Sequence, residues 1–268
     1  MKGQIKQVSA AGFWFNYVVR RPAPRYRLFC LSGAGTGPSE FVAWRTALPD
    51  HAELWPIQLP GRERRLREEP LADAATLVSE LLAAIEEVDR DTPLPIVLFG
   101  HSFGALVVFE LARRLVGRDP ERLLGVVVSG LAAPDRPARR ASVADLDDDE
   151  LLAWIRRLGG TPQELLEDER FARWLLRDLR ASFRIRENYH ADTETLLPCP
   201  VVAFGGTDDF EANALDLDAW SKFTSAWFRR HTLPGGHFFA RESRERFLEL
   251  LAGEVDKMAE RTIPGKRW

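Results

Sequence analysis

Short apolar runs alternate with amphipathic stretches through most of the chain. The runs at 95–100 (PIVLFG), 125–130 (GVVVSG) and 199–205 (CPVVAFG) are apolar almost without interruption. That is the pattern of strands covered on both faces, as in a parallel sheet. Further strands are predicted at 13–19 (FWFNYVV), 27–32 (RLFCLS), 53–59 (ELWPIQL) and 227–233 (WFRRHTL). Between them lie segments of helical period. Over 71–89, residues Leu71, Ala74, Leu77, Val78, Leu81, Leu82 and Ile85 fall on one face of a helix. Helices are also predicted at 103–117, ending at Gly117, and at 214–226 and 240–260. Strand–helix alternation of this kind predicts an α/β fold: a mostly parallel, doubly wound sheet flanked by helices.

Residues 133–195 break the rhythm. A polar connector (APDRPARRASVADLDDD) leads into the helical pieces ELLAWIRRLGG, TPQELLED and ERFARWLLRDLRASFRIRENYH, with no strand between them. Asp145 and Asp147 are candidate caps for the first piece, and Thr161-Pro162 opens the second. The span reads as a helical insertion within one domain covering 1–268. Long insertions cluster at the ligand end of such folds, so a lid over the site is expected. The alternative is a set of packing helices without function. Trp154, Phe171, Trp174, Leu175 and Phe183 are candidates for lining a pocket or for filling the insertion's own core.

Composition narrows the picture. With 268 residues, 45% of them hydrophobic, the chain can bury a full core, and a formal net charge of −3 gives no general attraction to nucleic acid or anionic membrane. The segment MKGQIKQVSAAGFWFNYVV is broken by Asn16, lacks the apolar core of a signal segment, and no run is long enough to span a bilayer. A cytoplasmic location is expected. Cys30 and Cys199 sit in apolar runs and are expected to be buried free thiols. No metal or cofactor site is expected, and the chain is expected to act as a monomer.

The chemistry concentrates around residues 96–107, IVLFGHSFGALV. An apolar strand ends at Gly100, GHSFG has the G-x-S-x-G form of a nucleophile elbow, and an apolar helix follows. The chain must turn sharply at Ser102, which lifts its hydroxyl clear of the sheet. The helix start at Phe103 favours developing negative charge. His101 is expected to point away and pack.

A serine hydroxyl needs a histidine to take its proton and a carboxylate to orient that histidine. With this elbow the chain order is serine, acid, histidine. His51 and His101 precede the acid region, His190 lies in the insertion and His231 in a predicted strand. His237, in the loop LPGGHFF, is the candidate base. The acid is expected in GTDDFE, one turn past the strand 199–205. Counting G-x-x-D from Gly206 selects Asp209, and counting from Gly205 selects Asp208; Asp209 is preferred. An oxyanion needs backbone donors. The amide of Phe103 is one candidate. The amide of Ala34, in the loop 32–40 (SGAGTGPSE), is the other, with Gly33 and Gly35 as neighbours in contention. A glycine turn without that role is the alternative.

The stretches FCLSGAGTGPSEFVAWRTALP, PIQLPGRERRLREEP, GHSFGALVVFELAR, GGTPQELLEDERF and LPGGHFF together resemble the type II thioesterases that accompany polyketide synthases and nonribosomal peptide synthetases. The resemblance spans nearly the whole chain; LPGRE (59–63) and GGTP (159–162) are more specific than the elbow. It implies an α/β-hydrolase fold and hydrolysis of acyl thioesters on the phosphopantetheine arm of acyl or peptidyl carrier proteins, removing stalled or aberrant groups. It also implies Ser102, Asp209 and His237 as triad, with the amides of Ala34 and Phe103 as oxyanion hole. Two stretches depart from the family pattern. Residues 33–36 read Gly-Ala-Gly-Thr where His-Ala-Gly-Gly is common, and Phe210 follows Asp209 where proline is frequent. The same chemistry would serve an esterase or acyl-CoA thioesterase acting on free substrates. A non-catalytic carrier-binding protein, or a domain cut from a synthase, are further readings.

Overall fold

The structure is a computed structural model that describes residues 11–136, 142–191 and 195–260. Its centre is a parallel sheet of six strands: β1 (Tyr26–Leu31), β2 (Ala52–Pro56), β3 (Ile96–His101), β4 (Leu123–Ser129), β5 (Val201–Gly206) and β6 (Phe228–Leu233). They are ordered β2-β1-β3-β4-β5-β6, every neighbouring pair parallel. The helices are α1 (Ala11–Trp14), α2 (Ala74–Asp89), α3 (Phe103–Val116), α4 (Asp148–Leu158), α5 (Gln163–Glu167), α6 (Glu169–Glu187), α7 (Ala214–Asp218), α8 (Phe239–Glu242) and α9 (Arg244–Glu260).

Alternate residues of each strand feed opposite faces, because side chains along a strand point to the two sides in turn. Phe29, Leu31, Ile96, Leu98, Val126 and Val128 join a core with α2, α3 and the segment around Trp220 and Phe223. Leu28, Cys30, Val97, Phe99 and Val127 join a second core with Phe41, Trp44 and the α9 residues Phe247, Leu251, Val255 and Met258. Strand order reverses between β1 and β3. In an open sheet the crevice beyond the strand ends at that point is where ligands bind. The loop after β1 and the turn after β3 both open there.

Three expectations need correction. Residues 13–19 are not a strand. After α1, only Phe15 and Val19 form isolated antiparallel bridges, to Ile57 and Leu54, and Tyr17 between them has φ 56°. A left-handed residue cannot continue a ladder. The predicted helix 214–226 is a short α7 followed by a 3-10 turn over Ala219–Phe223. The predicted helix 240–260 is divided into α8 and α9 at Ser243 (φ −108°, ψ 38°).

The segment between β4 and β5 carries α4, α5 and α6 and no named strand among its described residues. Residues 137–141 of the predicted connector and 192–194 lie outside the described residues. Asp147, not Asp145, caps α4, exchanging hydrogen bonds with Glu150 in a capping box. These helices have an apolar cluster of their own, including Leu151, Trp154, Leu175, Leu176, Leu179 and Phe183. Trp154 and Phe183 are therefore spent on internal packing, while Leu175 also reaches the loop after β1 at Gly35.

Candidate active site

Ser102 sits between the end of β3 and the start of α3 with φ 51° and ψ −119°. For a residue with a side chain this is strained backbone, held only when the surroundings leave no alternative. Here the surroundings are the flanking glycines. A Cβ on Gly100 would lie 2.2 Å from the Gly104 carbonyl oxygen, and one on Gly104 would lie 2.2 Å from the Leu31 carbonyl oxygen. Strand and helix thus approach closer than any other residue permits. The Ser102 amide donates to the Ser129 carbonyl at 2.7 Å, which ties the turn to β4. The side chain remains partly open to solvent.

His237 lies in the loop after β6 and is 5% exposed. Its Nδ1–H donates to Asp209 Oδ2 at 2.9 Å. Asp209, one turn beyond β5, is buried, and its Oδ1 accepts the Glu211 N–H at 2.9 Å. Asp208 is exposed and contacts the Thr207 hydroxyl. Of the two aspartates, Asp209 is the one that meets His237. The His237 ring is 5.0 Å, centre to centre, from that of His101, the residue beside Ser102. His101 is buried against Ser129 Oγ (3.0 Å), and burial, helped by the nearby His237 and Arg241, pushes its pKa well below the usual histidine value. It packs, as its position predicts. The other histidines lie elsewhere: His51 on Asp256, His231 on Glu254, and His190 exposed. Cys30 and Cys199 are buried free thiols, and burial pushes Cys199 up to about 12 and Cys30 well above its ordinary value. Neither competes as a nucleophile.

The loop after β1 turns through Gly35 (φ 73°). The Gly35 N–H is engaged by Asp178 Oδ2 at 2.7 Å, whereas the amides of Ala34 and Phe103 donate to no group among the described residues. Gly35 is thereby removed from contention as an oxyanion donor. Ala34 is partly exposed and packs against the apolar cluster of the insertion.

The two distinctive sequence stretches meet the site from the insertion side. Arg62 of LPGRE is buried and bonds to both Asp178 on α6 and the loop after β1. Gly160 of GGTP lies against the ring of Phe238, beside His237; a Cβ there would come within 2.4 Å of it. Arg241 adds a bond to the Gly160 carbonyl. Sequence reasoning missed Arg62, Asp178 and Ser182. The available signal was an aspartate and a serine on the apolar stripe of an otherwise amphipathic helix. Beside the loop after β1 runs a groove of about 870 Å³. Thr36, Glu40, Trp44, Phe171, Trp174 and Arg244 are among the residues that line it.

A buried Asp–His pair, a strained serine at a helix start and uncommitted backbone amides are the parts needed for acyl transfer. Among the described residues no cluster of acidic, histidine or cysteine side chains is suited to hold a metal, and no helix is long and apolar enough to cross a membrane.

A profile of the Thioesterase domain family matches residues 26–255. The chain is 35% identical over 248 residues to the gramicidin S biosynthesis protein GrsT of Aneurinibacillus migulanus, covering 92% of this chain and 96% of that protein. It is 36% identical over 229 residues to the thioesterase PikA5 of Streptomyces venezuelae, covering 85% and 80%. Among solved structures, the type II thioesterase BorB from the borrelidin biosynthetic cluster superposes with a TM-score of 0.79 at 32% identity, covering 92% of this chain and 98% of that one.

Proposed function

The chain belongs to the thioesterase family and is a thioester hydrolase, and from that premise we propose that it releases acyl groups from the phosphopantetheine arm of carrier proteins in a nonribosomal peptide or polyketide pathway. Ser102 is the nucleophile. His237 takes the hydroxyl proton at Nε2 as the oxygen attacks the thioester carbonyl. Asp209 holds the ring with its proton on Nδ1, the tautomer this task requires. The amides of Ala34 and Phe103 receive the oxyanion. The intermediate collapses as the thiol departs with the proton from His237. Water, deprotonated by the same nitrogen, then cleaves the acyl-enzyme, releasing the acid and restoring Ser102.

The observation that carries this reading is the 2.9 Å bond from buried His237 to buried Asp209, in a chain that holds Ser102 in left-handed backbone between β3 and α3. Two further features support the carrier-bound substrate. The relatives GrsT and BorB are named for gramicidin S biosynthesis and for the borrelidin biosynthetic cluster. The groove past Thr36 and Trp174 adjoins the glycine loop, as an extended arm requires. Helices α4 to α6, in this reading, form a lid that shapes the acyl pocket, and hydrolysis serves to clear stalled or aberrant groups.

The test compares one acyl group carried on a carrier protein, on coenzyme A and as a simple ester. The wild-type protein is expected to turn over the carrier-bound form best, and Ser102→Ala to lose at least about 10³-fold in kcat. Near wild-type turnover by Ser102→Ala overturns the mechanism. A marked preference for the simple ester overturns the carrier-protein assignment and favours an esterase.

A further inference from the structure

Arg62 brings a charge into the protein interior, with 1% of its surface exposed. Its Nε donates to Asp178 Oδ1 at 2.9 Å. One terminal nitrogen donates to the carbonyls of Gly33 (2.7 Å) and Thr36 (2.9 Å), and the other to Ser182 Oγ (3.0 Å). The Phe103 ring lies 5.6 Å from the guanidinium carbon. Asp178, 2% exposed, turns its second oxygen to the Gly35 N–H at 2.7 Å. Every side-chain hydrogen bond of this pair therefore ends on the loop 33–36 or on α6.

The same face of α6 closes over the loop. Leu175, Asp178, Leu179 and Ser182 follow one another at helical spacing. A Cβ on Gly35 would meet Leu175 at 2.5 Å and Leu179 at 3.6 Å, so the loop lies directly beneath these side chains.

The planar trans peptide turns these contacts into a statement about Ala34. The Gly33 carbonyl and the Ala34 N–H belong to one peptide unit and point in opposite directions. Arg62 fixes that carbonyl, and the Thr36 hydroxyl adds a second bond to it at 3.0 Å. The direction of the Ala34 N–H is then set without any contact to Ala34 itself. The next peptide is held by the other member of the pair, through the bond from the Gly35 N–H to Asp178. Stability alone does not account for such a pair. A buried ion pair usually contributes little more than well-packed apolar residues of the same volume.

We propose that Arg62 and Asp178 are positioning residues that aim the Ala34 amide at the reacting carbonyl, so that helix α6 of the insertion sets the rate of acyl transfer as well as covering the site. The inference rests on the reading above, in which Ser102 attacks a thioester.

The test uses Asp178→Asn, which is isosteric, and Arg62→Lys, which keeps the charge but loses the planar fork. For each folded variant kcat, KM and the affinity for an acyl trifluoromethyl ketone are measured; this ketone adds to a catalytic serine and places an oxyanion in the hole. One lost oxyanion donor typically costs about 10²–10³ in rate. Both variants are therefore expected to lose about 10²-fold in kcat, to keep KM within about threefold, and to bind the ketone more weakly in the same proportion. A kcat within about threefold of wild type, or a loss of kcat with unchanged ketone affinity, overturns the inference. A second arm needs no variant. In the wild-type protein the Gly35 amide is expected to resist hydrogen exchange, and the Ala34 amide to become protected only once the ketone is bound. Protection of Ala34 in the free protein overturns the inference too. Ser102→Ala is the control: equal turnover by that variant overturns the underlying reading, whereas its inactivity beside fully active Asp178→Asn and Arg62→Lys overturns this inference alone.

Discussion

Replacing Asp209 with asparagine changes one atom, and the geometry dictates what that atom does. Asp209 Oδ1 accepts the Glu211 N–H and Oδ2 accepts His237 Nδ1–H, each at 2.9 Å. Asparagine offers one oxygen and one NH₂. With the NH₂ toward Glu211, two donors would face each other in a buried place, at a cost of about 1–3 kcal/mol. The oxygen therefore stays with Glu211, and the NH₂ turns to His237. Nδ1 can meet an NH₂ only by accepting from it, which moves the ring proton to Nε2. In that tautomer Nε2 cannot receive the Ser102 proton, and the imidazolium formed during attack loses its carboxylate. The same change in a serine triad lowers kcat about 10⁴-fold, equivalent to about 5.5 kcal/mol of barrier. The assay follows thiol release from an acyl thioester across pH, with thermal unfolding as the control for folding. Asp208→Asn, on an exposed neighbour, is expected to stay within about twofold of wild type. Asp209→Asn with more than about a tenth of wild-type kcat refutes the reasoning, and so does an Asp208→Asn variant that is equally impaired.

Two other substitutions test the framework around the site. Gly104→Ala would bring a Cβ to 2.2 Å from the Leu31 carbonyl oxygen; overpacking of this kind costs about 1–3 kcal/mol or more, so Tm should fall by several degrees in a thermal melt, and an unchanged Tm would show that strand and helix do not meet this closely. His101 has its pKa pushed well below 6.5, chiefly by burial; the unfolded chain takes up a proton below that value that the folded protein refuses. Its contribution to stability is thus complete above about pH 6.5 and declines as pH falls toward the depressed value, by up to about 1.4 kcal/mol per pH unit. Urea unfolding near pH 7.5 and near pH 5.5 should show a smaller loss for His101→Gln than for wild type, and parallel losses would contradict the assignment.

The strands buried on both faces were legible because their residues are mostly apolar, and those predicted at 27–32, 95–100, 125–130 and 199–205 fall within two residues of β1, β3, β4 and β5. The segment 13–19 has the composition of a strand, but pairing depends on backbone angles, and composition gives no hint that Tyr17 is left-handed. The helix 240–260 has a continuous apolar stripe, so the break at Ser243 was invisible to periodicity. Around the site, the elbow and LPGGHFF announce themselves through glycine spacing. Glycine spacing admits both Asp208 and Asp209 and prefers Asp209 only by the choice of starting glycine; burial and the bond to His237 separate them. Arg62 and Asp178 are 116 positions apart, and no local pattern links residues at that distance.

The sheet's two outer strands are closed in different ways. Beside β2, Phe15 and Val19 supply bridges, and the amides of Asn16 and Val19 donate to the carbonyls of Pro56 and Leu54. At the other margin, β6 carries Arg229, Arg230 and His231 in succession, with Arg229 and His231 anchored on Glu254. Bare strand edges recruit further strands from other molecules, and charge or a covering segment prevents it. The failed strand at 13–19 is thus a strap. It satisfies part of the β2 edge while its kink at Tyr17 keeps it from offering a continuous new edge of its own, so the parallel sheet ends there instead of becoming a template for intermolecular growth.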